Sequence, residues 1–317
     1  MDSIRIVRYT PDCKREWDDF IDRSRNGTFL LLRDYMDYHC DRFRDCSWMA
    51  YVNGKLRAVI PANIDDEAVL HSHQGLTYGG WLTPAGHLDG ADMLRIFEAS
   101  LTEWRHGGIK ELDYKPVPYI YCKTPADEAR YALFRLGAQL TGCGLSTAID
   151  LRTGVEFNQM QRRHLRKASE MPITINEETD VEPFMALLTD CLQERHGVMP
   201  VHTCGEMRML RERFPENIRI FVLRLGDDAT PQAGVCMYDT GLVAHAQYIA
   251  TTSTARGSNL LTPLFSHLIC EVFRERRYFD FGISTEDNGH YLNEGLLRQK
   301  TSYGGSGVVY ERFRLKV

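Results

Sequence analysis

The feature that most constrains the fold is an internal repeat of a helix followed by a strand. A helix predicted over residues 93–106 leads into Glu111-Leu112-Asp113-Tyr114, and one predicted over residues 260–277 leads into Tyr278-Phe279-Asp280-Phe281-Gly282. The two aspartates lie about half the chain length apart, whereas solenoid repeats have periods of about 20–50 residues. The sequence therefore predicts one α/β unit repeated twice, with the site where one copy faces the other.

The length agrees with two domains. At roughly 150 residues per domain, 317 residues allow two cores. We predict a boundary near Arg152-Thr153-Gly154, which gives domains 1–152 and 153–317 packed tightly side by side. A net charge of −5 argues against a dedicated nucleic-acid binder, although it leaves room for a local basic patch.

Composition also indicates the compartment. The opening MDSIRIVRYTPDCKREW has no apolar core of a signal peptide, and no apolar run approaches membrane-spanning length. Nine cysteines are scattered along the chain without a C-x-x-C pair, which fits reduced thiols. We expect a cytoplasmic protein without membrane insertion and without a metal site.

The order of predicted elements indicates mixed α/β sheets. Asn53-Gly54 between two β-rich runs predicts a hairpin. In the second half a meander of strands over 218–225, 233–238 and 242–250 precedes the repeated helix and strand. Because antiparallel strands occupy the middle of this order, a doubly wound parallel fold is excluded. We further predict a helix over 31–42 and a strand over 76–81.

The run from Gln161 to Lys167 concentrates positive charge within two helical turns. Arg162, Arg163 and Arg166 fall within i, i+3/i+4 reach of one another, so they are candidates for binding the phosphates of a donor. The alternative interpretation, a solvated helix face, is equally compatible with the sequence. The turn Gly257-Ser258-Asn259, just before the predicted helix, is a second and weaker candidate for an anion site.

Two histidine motifs are candidates for chemistry. His245 lies within a central strand, where a neutral imidazole is able to act as a general base; the alternative is a core histidine bonded to a backbone carbonyl. His71-Ser72-His73 resembles a metal pair, but we expect no carboxylate partner in register and interpret it as structural.

Lys300 follows the Asp280 strand and precedes Tyr303-Gly304-Gly305, so a charge-stabilising role is predicted at the edge of the cleft. The segment Lys115-Pro116-Val117-Pro118-Tyr119 is predicted to be extended and to form the rim of the groove. The chain has no G-x-S-x-G nucleophile motif, no P-loop and no G-x-G-x-x-G motif.

Taken together, these motifs resemble the Fem-type branch of the GNAT acyltransferase superfamily, with tandem acetyltransferase-like domains. The residues that carry the resemblance, over nearly the whole chain, are Trp17-Asp18-Asp19-Phe20, Asn26-Gly27-Thr28-Phe29, Tyr78-Gly79-Gly80, Lys115–Tyr119, the arginine-rich opening of the second domain, Tyr278–Gly282 and Gln299-Lys300-Thr301-Ser302-Tyr303-Gly304-Gly305. The family's phenylalanine before its motif lysine is Gln299 here, and Asp37 replaces a phosphate-binding lysine of muropeptide ligases.

The resemblance implies that acyl donor and amine acceptor meet in the second domain, with Lys300 as the motif lysine and the first domain forming part of the acceptor groove. The residues assigned to the acceptor are Tyr78, Lys115, Tyr119, Tyr248, Asn288 and Asn293. The first hypothesis is an acyltransferase that uses acetyl-CoA or another acyl-CoA and acylates an amine of a small molecule or sugar. The alternatives are an aminoacyl-tRNA-dependent ligase of the Fem kind and a non-catalytic binding module.

Overall fold

The computed structural model describes residues 3–86 and 88–317, which form two compact units. Unit 1 contains Met1–Gly144, Thr285–Tyr291 and Val309–Val317, and unit 2 contains Leu145–Ser284 and Leu292–Val308. Each unit therefore takes most of its residues from one half of the chain and a smaller part from the other. The domain boundary that the sequence indicates after residue 152 stays a prediction.

Strands occur along the whole length of the chain. They are β1 (Ile4–Arg8), β2 (Trp48–Val52), β3 (Lys55–Ile60), β4 (Asn63–Ile64), β5 (Val69–His71), β6 (Glu111–Tyr114), β7 (Gln139–Asp150), β8 (Ile173–Glu178), β9 (Ile218–Leu225), β10 (Ala233–Asp239), β11 (Val243–Thr251), β12 (Tyr278–Ile283), β13 (Thr285–Glu286), β14 (Tyr291–Leu292) and β15 (Ser306–Lys316).

The α-helices are α1 (Lys14–Arg23), α2 (Arg33–Met36), α3 (Gly90–His106), α4 (Glu128–Arg135), α5 (Gln159–Ala168), α6 (Glu182–His196), α7 (Cys204–Arg213), α8 (Ser253–Gly257), α9 (Leu261–His267) and α10 (Glu294–Thr301). Short 3-10 turns cover Pro11–Cys13, Phe29–Leu31, Asp37–His39, Tyr119–Tyr121, Leu151–Thr153 and Asp287–Gly289, and a π-helical turn covers Leu268–Val272.

Unit 1 contains a three-stranded antiparallel sheet, β1-β2-β3, and four further strands in the order β4-β5-β6-β15. The hairpin between β2 and β3 turns at Asn53-Gly54, both with positive φ, as the sequence predicts. Helix α3 begins at a capping box of Asp89 and Asp92. The core packs Trp81 in a stack on Trp104, with ring centroids 6.2 Å apart.

Unit 2 is built on the predicted meander. Strands β8, β9, β10 and β11 pair antiparallel in sequence order, β12 adds parallel to β11, and β7 adds antiparallel to β12. Helix α9 packs Phe265 against Phe279 and Phe281, and Tyr303 stacks on Phe281. This aromatic core fixes the strand β12 and the residues that follow α10.

The predicted repeat is visible in both units. The order β4-β5-β6-β15 has the same strand directions as β10-β11-β12-β7, with the parallel pair in the middle. Asp113 of β6 lies in register with His71 of β5, and Asp280 of β12 lies in register with His245 of β11. The prediction of mixed α/β sheets in a tandem arrangement is confirmed.

Several predicted elements differ from the structure. The helix over 31–42 is replaced by α2 and two 3-10 turns, and residues 76–81 form only isolated bridges. The helix over 260–277 ends early, because a π turn in which Phe273 N donates to Leu268 O lets Phe273 enter the core. Strand β8 was missed because four of the six residues in its sequence, ITINEE, are polar. Among the described residues, no helix is long and apolar enough to span a membrane.

Candidate active site

The central strands β11 and β12 form a fork in unit 2. They pair over three residues only, from Val243 opposite Tyr278 to His245 opposite Asp280, and both strands then continue beyond the paired segment. Gly282 has φ of +77°, a conformation that favours glycine, and a Cβ there would lie 3.4 Å from His245 Cε1. His245 and Asp280 therefore occupy the point where the strands separate.

Asp280 is fully buried and is held from three strands. His245 Nδ1 lies 2.9 Å from Asp280 Oδ2, the Ser146 hydroxyl of β7 donates to Asp280 Oδ1, and Gly282 N donates to the same oxygen over 3.1 Å. The His245 side chain is 14% exposed. The arrangement is an ordered imidazole–carboxylate pair whose imidazole is reachable from solvent.

Lys300, on α10, fixes the end of β12. Its Nζ donates to the carbonyl oxygens of Gly282 and Ile283, each over 2.7 Å. Burial lowers the pKa of Lys300 to about 8, against the opposing effect of Asp280. Lys300 thus lies at the fork, where its ammonium group binds backbone carbonyls of β12, so its position indicates that it shapes the fork. Its charge-stabilising role stays a prediction.

We expect a Lys300→Met variant to lose about one to three powers of ten in turnover, since the path of β12 beyond Asp280 depends on these two hydrogen bonds. Steady-state kinetics measures this, with Lys316→Met, an exposed lysine at the end of β15, as the control. Unchanged turnover in a folded Lys300→Met variant would show that Lys300 does not contribute to the site.

The lowered pKa of Lys300 has a second consequence, for stability. Between about pH 8 and the usual lysine pKa near 10.4 the unfolded chain binds a proton that the folded chain has released at Lys300, so the contribution of Lys300 to the free energy of unfolding should rise with pH. This contribution is at most about 1.4 kcal/mol per pH unit. In urea titrations from pH 7.5 to 10, the free energy of unfolding of the wild type should therefore increase relative to that of Lys300→Met; a constant difference would contradict the burial of this lysine.

Unit 1 carries the equivalent pair in a different setting. His71 Nδ1 lies 2.8 Å from Asp113 Oδ2 and His71 Nε2 lies 2.7 Å from Asp65 Oδ2, while Arg312 of β15 donates to both oxygens of Asp113. Burial lowers the pKa of His71, but its two carboxylate partners outweigh burial and raise it. The prediction that His71 lacks a carboxylate in register is wrong, because Asp113, 42 residues away, lies opposite His71 on the neighbouring strand, and Asp65 reaches the other ring nitrogen from six residues before His71. We name Asp65, His71, Asp113 and Arg312 the unit 1 ion cluster.

A cavity of about 410 Å³ lies in unit 2 among α5, α8, α9 and α10, the last three of which follow the strands of the fork. Residues that line it include Gln161, His164, Arg256, Asn259, Arg298 and Tyr303. Its floor is a buried polar network in which Thr262 Oγ1 donates to Gln161 Oε1 and Gln161 Nε2 donates to Ser302 Oγ. A polar floor, apolar side chains such as Leu261 and two arginines suit a ligand that is partly apolar and partly anionic. Arg256 also pairs with Glu194 over 3.6 Å, and Arg298 with Glu294 over 2.5 Å.

Of the residues predicted to bind the acyl donor, some line this cavity and others do not. Asn259 lines it, whereas Gly257 and Ser258 are exposed at the end of α8. Arg162, Arg163 and Arg166 are exposed on α5, and the residues of that helix which line the cavity are Met160, Gln161 and His164. Burial, with Arg163 and Lys167, lowers the pKa of His164.

The predicted acceptor residues lie in both units. In unit 1 Tyr78 is buried and bonds Thr28 Oγ1, burial lowers the pKa of Lys115 to about 8, and Tyr119 is 53% exposed. Asn288, also in unit 1, is exposed and accepts from Arg312 over 3.1 Å. Their assignment to an acceptor groove stays a prediction.

Tyr248 and Asn293 belong to unit 2. Ala246 pairs with Met237 and Tyr248 with Cys236, so Gln247 is the extra residue of a β-bulge. The bulge shifts the alternation of side chains, so that Tyr248 shares a face with His245 while Ala246 and Ile249 face the core. The Tyr248 hydroxyl also forms a hydrogen bond with His202 Nδ1. Asn293 caps α10, because its Oδ1 accepts a hydrogen bond from Leu296 N.

Sequence reasoning missed Ser146, Arg256, Arg298 and His164. Ser146 comes from a strand 134 residues before its partner Asp280, which no local motif indicates. The cavity residues of α5 follow from helical periodicity, because positions 160, 161 and 164 share a face that excludes most of the arginines. No comparable signal marks Arg256 and Arg298.

Comparisons with known proteins agree with this architecture. Residues 157–291, which include the fork, match the model of the acetyltransferase (GNAT) domain. The structure of FemX aligns with a TM-score of 0.69 at 11% identity, covering 99% of this chain and 97% of that one. The chain has a tandem GNAT-like fold that is similar to the fold of FemX. No curated protein sequence matches it.

Two further structures show the same Fem-type GNAT fold. L-PGS from Bacillus licheniformis aligns with a TM-score of 0.61 at 12% identity, over 96% of this chain and 91% of that one. A tandem GNAT protein from the clavulanic acid biosynthesis pathway aligns with a TM-score of 0.55 at 13% identity, over 99% and 98%. At these identities the likeness describes the fold of this GNAT-like chain and leaves its substrates to be argued from its own residues.

Proposed function

We propose that this chain is an N-acyltransferase that moves an acyl group from an acyl-CoA thioester to an amine of a small molecule or sugar. The observation that carries the proposal is the fork between β11 and β12. His245, Asp280 and Lys300 lie where the two strands separate. The fork lies inside the segment that matches the GNAT acetyltransferase domain.

The reaction needs a base and a positioned carbonyl, and no protein nucleophile. The amine nitrogen attacks the thioester carbon, a C–N bond forms and the C–S bond breaks. His245 takes the proton that the amine releases, and the departing thiolate is protonated by water. Backbone N–H groups of the bulge at Gln247 would stabilise the developing oxyanion, and positioning supplies much of the rate.

The cavity beside the fork supports a CoA donor. Arg256 and Arg298 supply guanidinium groups at its rim, and Asn259, whose φ is +57°, lies at the turn between α8 and α9. A diphosphate needs charge-assisted donors, and a pantetheine arm needs an elongated, partly apolar channel. The two arginines and the apolar side chains Met160 and Leu261, which all line this cavity, support the proposal that it binds CoA.

A second candidate is an aminoacyl-tRNA-dependent ligase. Helix α5 exposes Arg162, Arg163, Arg166 and Lys167, and its sequence QMQRRHLRKA contains no carboxylate. An unneutralised cationic helix suits a nucleic-acid backbone. Against this candidate stand the net charge of −5 and Asp37, which pairs with Arg33 over 3.2 Å in unit 1.

Titrating the protein with CoA and with a tRNA acceptor-stem RNA, each at two salt concentrations, separates the candidates. We expect saturable CoA binding with weak salt dependence and loss of affinity in an Arg256→Gln/Arg298→Gln variant. An Arg208→Gln variant, which removes an exposed ion pair between Arg208 of α7 and Glu182 of α6, is the control.

RNA binding that weakens steeply with salt, with a slope that falls by about three in an Arg162→Gln/Arg163→Gln/Arg166→Gln variant, would favour the ligase, because each lost phosphate contact lowers the slope by about one. Binding to neither ligand would contradict both enzymes and favour a non-catalytic binding module.

A further inference from the structure

The carboxylate of Asp280 joins three strands at the fork and has no role in the reaction described above. It is fully buried, receives the Ser146 hydroxyl and Gly282 N on Oδ1, and contacts His245 Nδ1 with Oδ2. We infer that Asp280 is a positioning residue that holds His245 in the Nδ1–H tautomer, and that Ser146 orients Asp280 for this task. The inference rests on the proposed function for the use of His245 as a base.

The tautomer follows from the hydrogen-bonding capacity of the groups. Two donors on Oδ1 favour the ionised carboxylate, and an ionised carboxylate only accepts. Its contact at 2.9 Å therefore requires a proton on His245 Nδ1. In the neutral ring the lone pair then lies on Nε2, which is the atom that takes a proton from an amine. Asp280 thus decides which nitrogen of His245 is basic.

The internal repeat supplies a comparison within the same chain. Arg314 lies opposite Asp113 and Ala148 lies opposite Asp280, so Arg312 and Ser146 occupy equivalent positions two residues earlier on the neighbouring strand. In unit 1 that position brings a guanidinium to the aspartate, and His71 has a carboxylate at each ring nitrogen. That arrangement favours a fixed imidazolium, which is not a base. In unit 2 the equivalent partner is a neutral hydroxyl, which orients Asp280 without neutralising it.

The order of the three groups excludes a nucleophilic serine. Ser146 donates to the carboxylate and lies on the far side of Asp280 from the imidazole. The imidazole of a Ser-His-Asp triad stands between the hydroxyl and the carboxylate, where it is able to remove the hydroxyl proton. Ser146 therefore orients Asp280, and no acyl-serine intermediate is expected.

The test is an Asp280→Asn variant, read by two measurements. Side-chain ¹H–¹⁵N correlation spectra report which ring nitrogen of His245 carries the proton, with the signal assigned through a His245→Gln variant. An asparagine amide is able to donate to Nδ1 and so to favour the Nε2–H tautomer. We expect the His245 signal to change to that tautomer and kcat to fall by about 10²-fold or more, with KM for the donor within about threefold.

The structurally matched control is Asp113→Asn in unit 1. We expect it to lower the Tm while leaving the His245 signal and kcat per folded molecule unchanged. Ser146→Ala should give a smaller loss, about 3- to 10-fold in kcat, because Gly282 N still orients Asp280.

Two results would overturn the inference: an unchanged His245 tautomer in Asp280→Asn, or a kcat in that variant within about threefold of wild type. If the wild-type protein transferred no acyl group at all, the proposed function would fail, while the spectra would still decide whether Asp280 sets the tautomer. The two failures are therefore distinguishable.

Discussion

A His245→Gln variant is expected to lose about two to four powers of ten in kcat for acyl transfer, the range in which a positioned general base contributes. Glutamine keeps a polar side chain of similar length beside Asp280 but cannot accept the amine proton. The loss should be measured by following release of the free thiol from the donor at saturating amine. Donor binding should change little, because the cavity residues of α5, α8 and α10 remain in place.

The chain offers a matched control for this substitution. His267 on α9 also places Nδ1 3.0 Å from a carboxylate, Glu271, but that pair is exposed. His267→Gln should retain wild-type kcat. A double variant of His245→Gln and Asp280→Asn should be no slower than His245→Gln alone, since residues that act as a unit are not additive. Additive losses would show that Asp280 acts by another route.

The largest effect on stability is expected from Arg312→Met. Arg312 is the guanidinium partner of Asp113 in the unit 1 ion cluster, with Nε 2.7 Å from Oδ1, and the Asp113 side chain is 2% exposed. Removing one partner of a pair in which both groups are buried costs about 3–5 kcal/mol, because the other charge is left alone. Asp113 keeps His71 and also Arg314, whose Nε lies 3.9 Å from Oδ1, and 34% of the Arg312 side chain is exposed. We therefore expect a smaller loss of about 2 kcal/mol, measured by urea unfolding at pH 7.

The pH dependence of that loss identifies its cause. Burial raises the pKa of Asp113, but Arg312 and His71 outweigh burial and lower it. A carboxyl with a lowered pKa stabilises the fold above its unfolded pKa near 4, and this contribution is lost as the pH falls. The difference between wild type and Arg312→Met should therefore shrink below about pH 4. Arg95→Met, which breaks an exposed pair with Asp92, should cost under about 1 kcal/mol and serves as the control. A similar loss in both variants would contradict the role of the ion cluster.

The parts of the fold that depend on local pattern could be predicted from the sequence. The Asn53-Gly54 hairpin and the meander that contains β9 depend on turn chemistry and alternation within a few residues, and both are present. The repeat was detectable because Asp113 and Asp280 each follow a similar helix. The strand β8 and the short helix α2 could not be predicted from the sequence, since their formation depends on pairing and packing with distant residues.

Candidate site residues could be proposed from the sequence only where a residue is distinctive in its own segment. His245 and Lys300 are candidates because of their places in a central strand and after the Asp280 strand, and both lie at the fork. Their roles stay predictions. Ser146 was missed because a serine on a strand carries no local signal of a partner far along the chain. The arginines of α5 were read as one cluster, although the helix turns different positions toward the cavity.

The order of the strands along the chain has a consequence for how unit 1 folds. Most of β15, from Val309 onward, comes after unit 2 in the sequence, yet it pairs with β6 of unit 1. During synthesis, unit 1 therefore lacks its last strand until unit 2 has been made. Until then the edge of β6 that pairs with β15 has no partner strand. Such long-range closure slows folding, and an unpaired edge invites association with other chains. We therefore expect two fragments, made by dividing the chain after Gly144, to aggregate when each is expressed alone and to fold when both are expressed together.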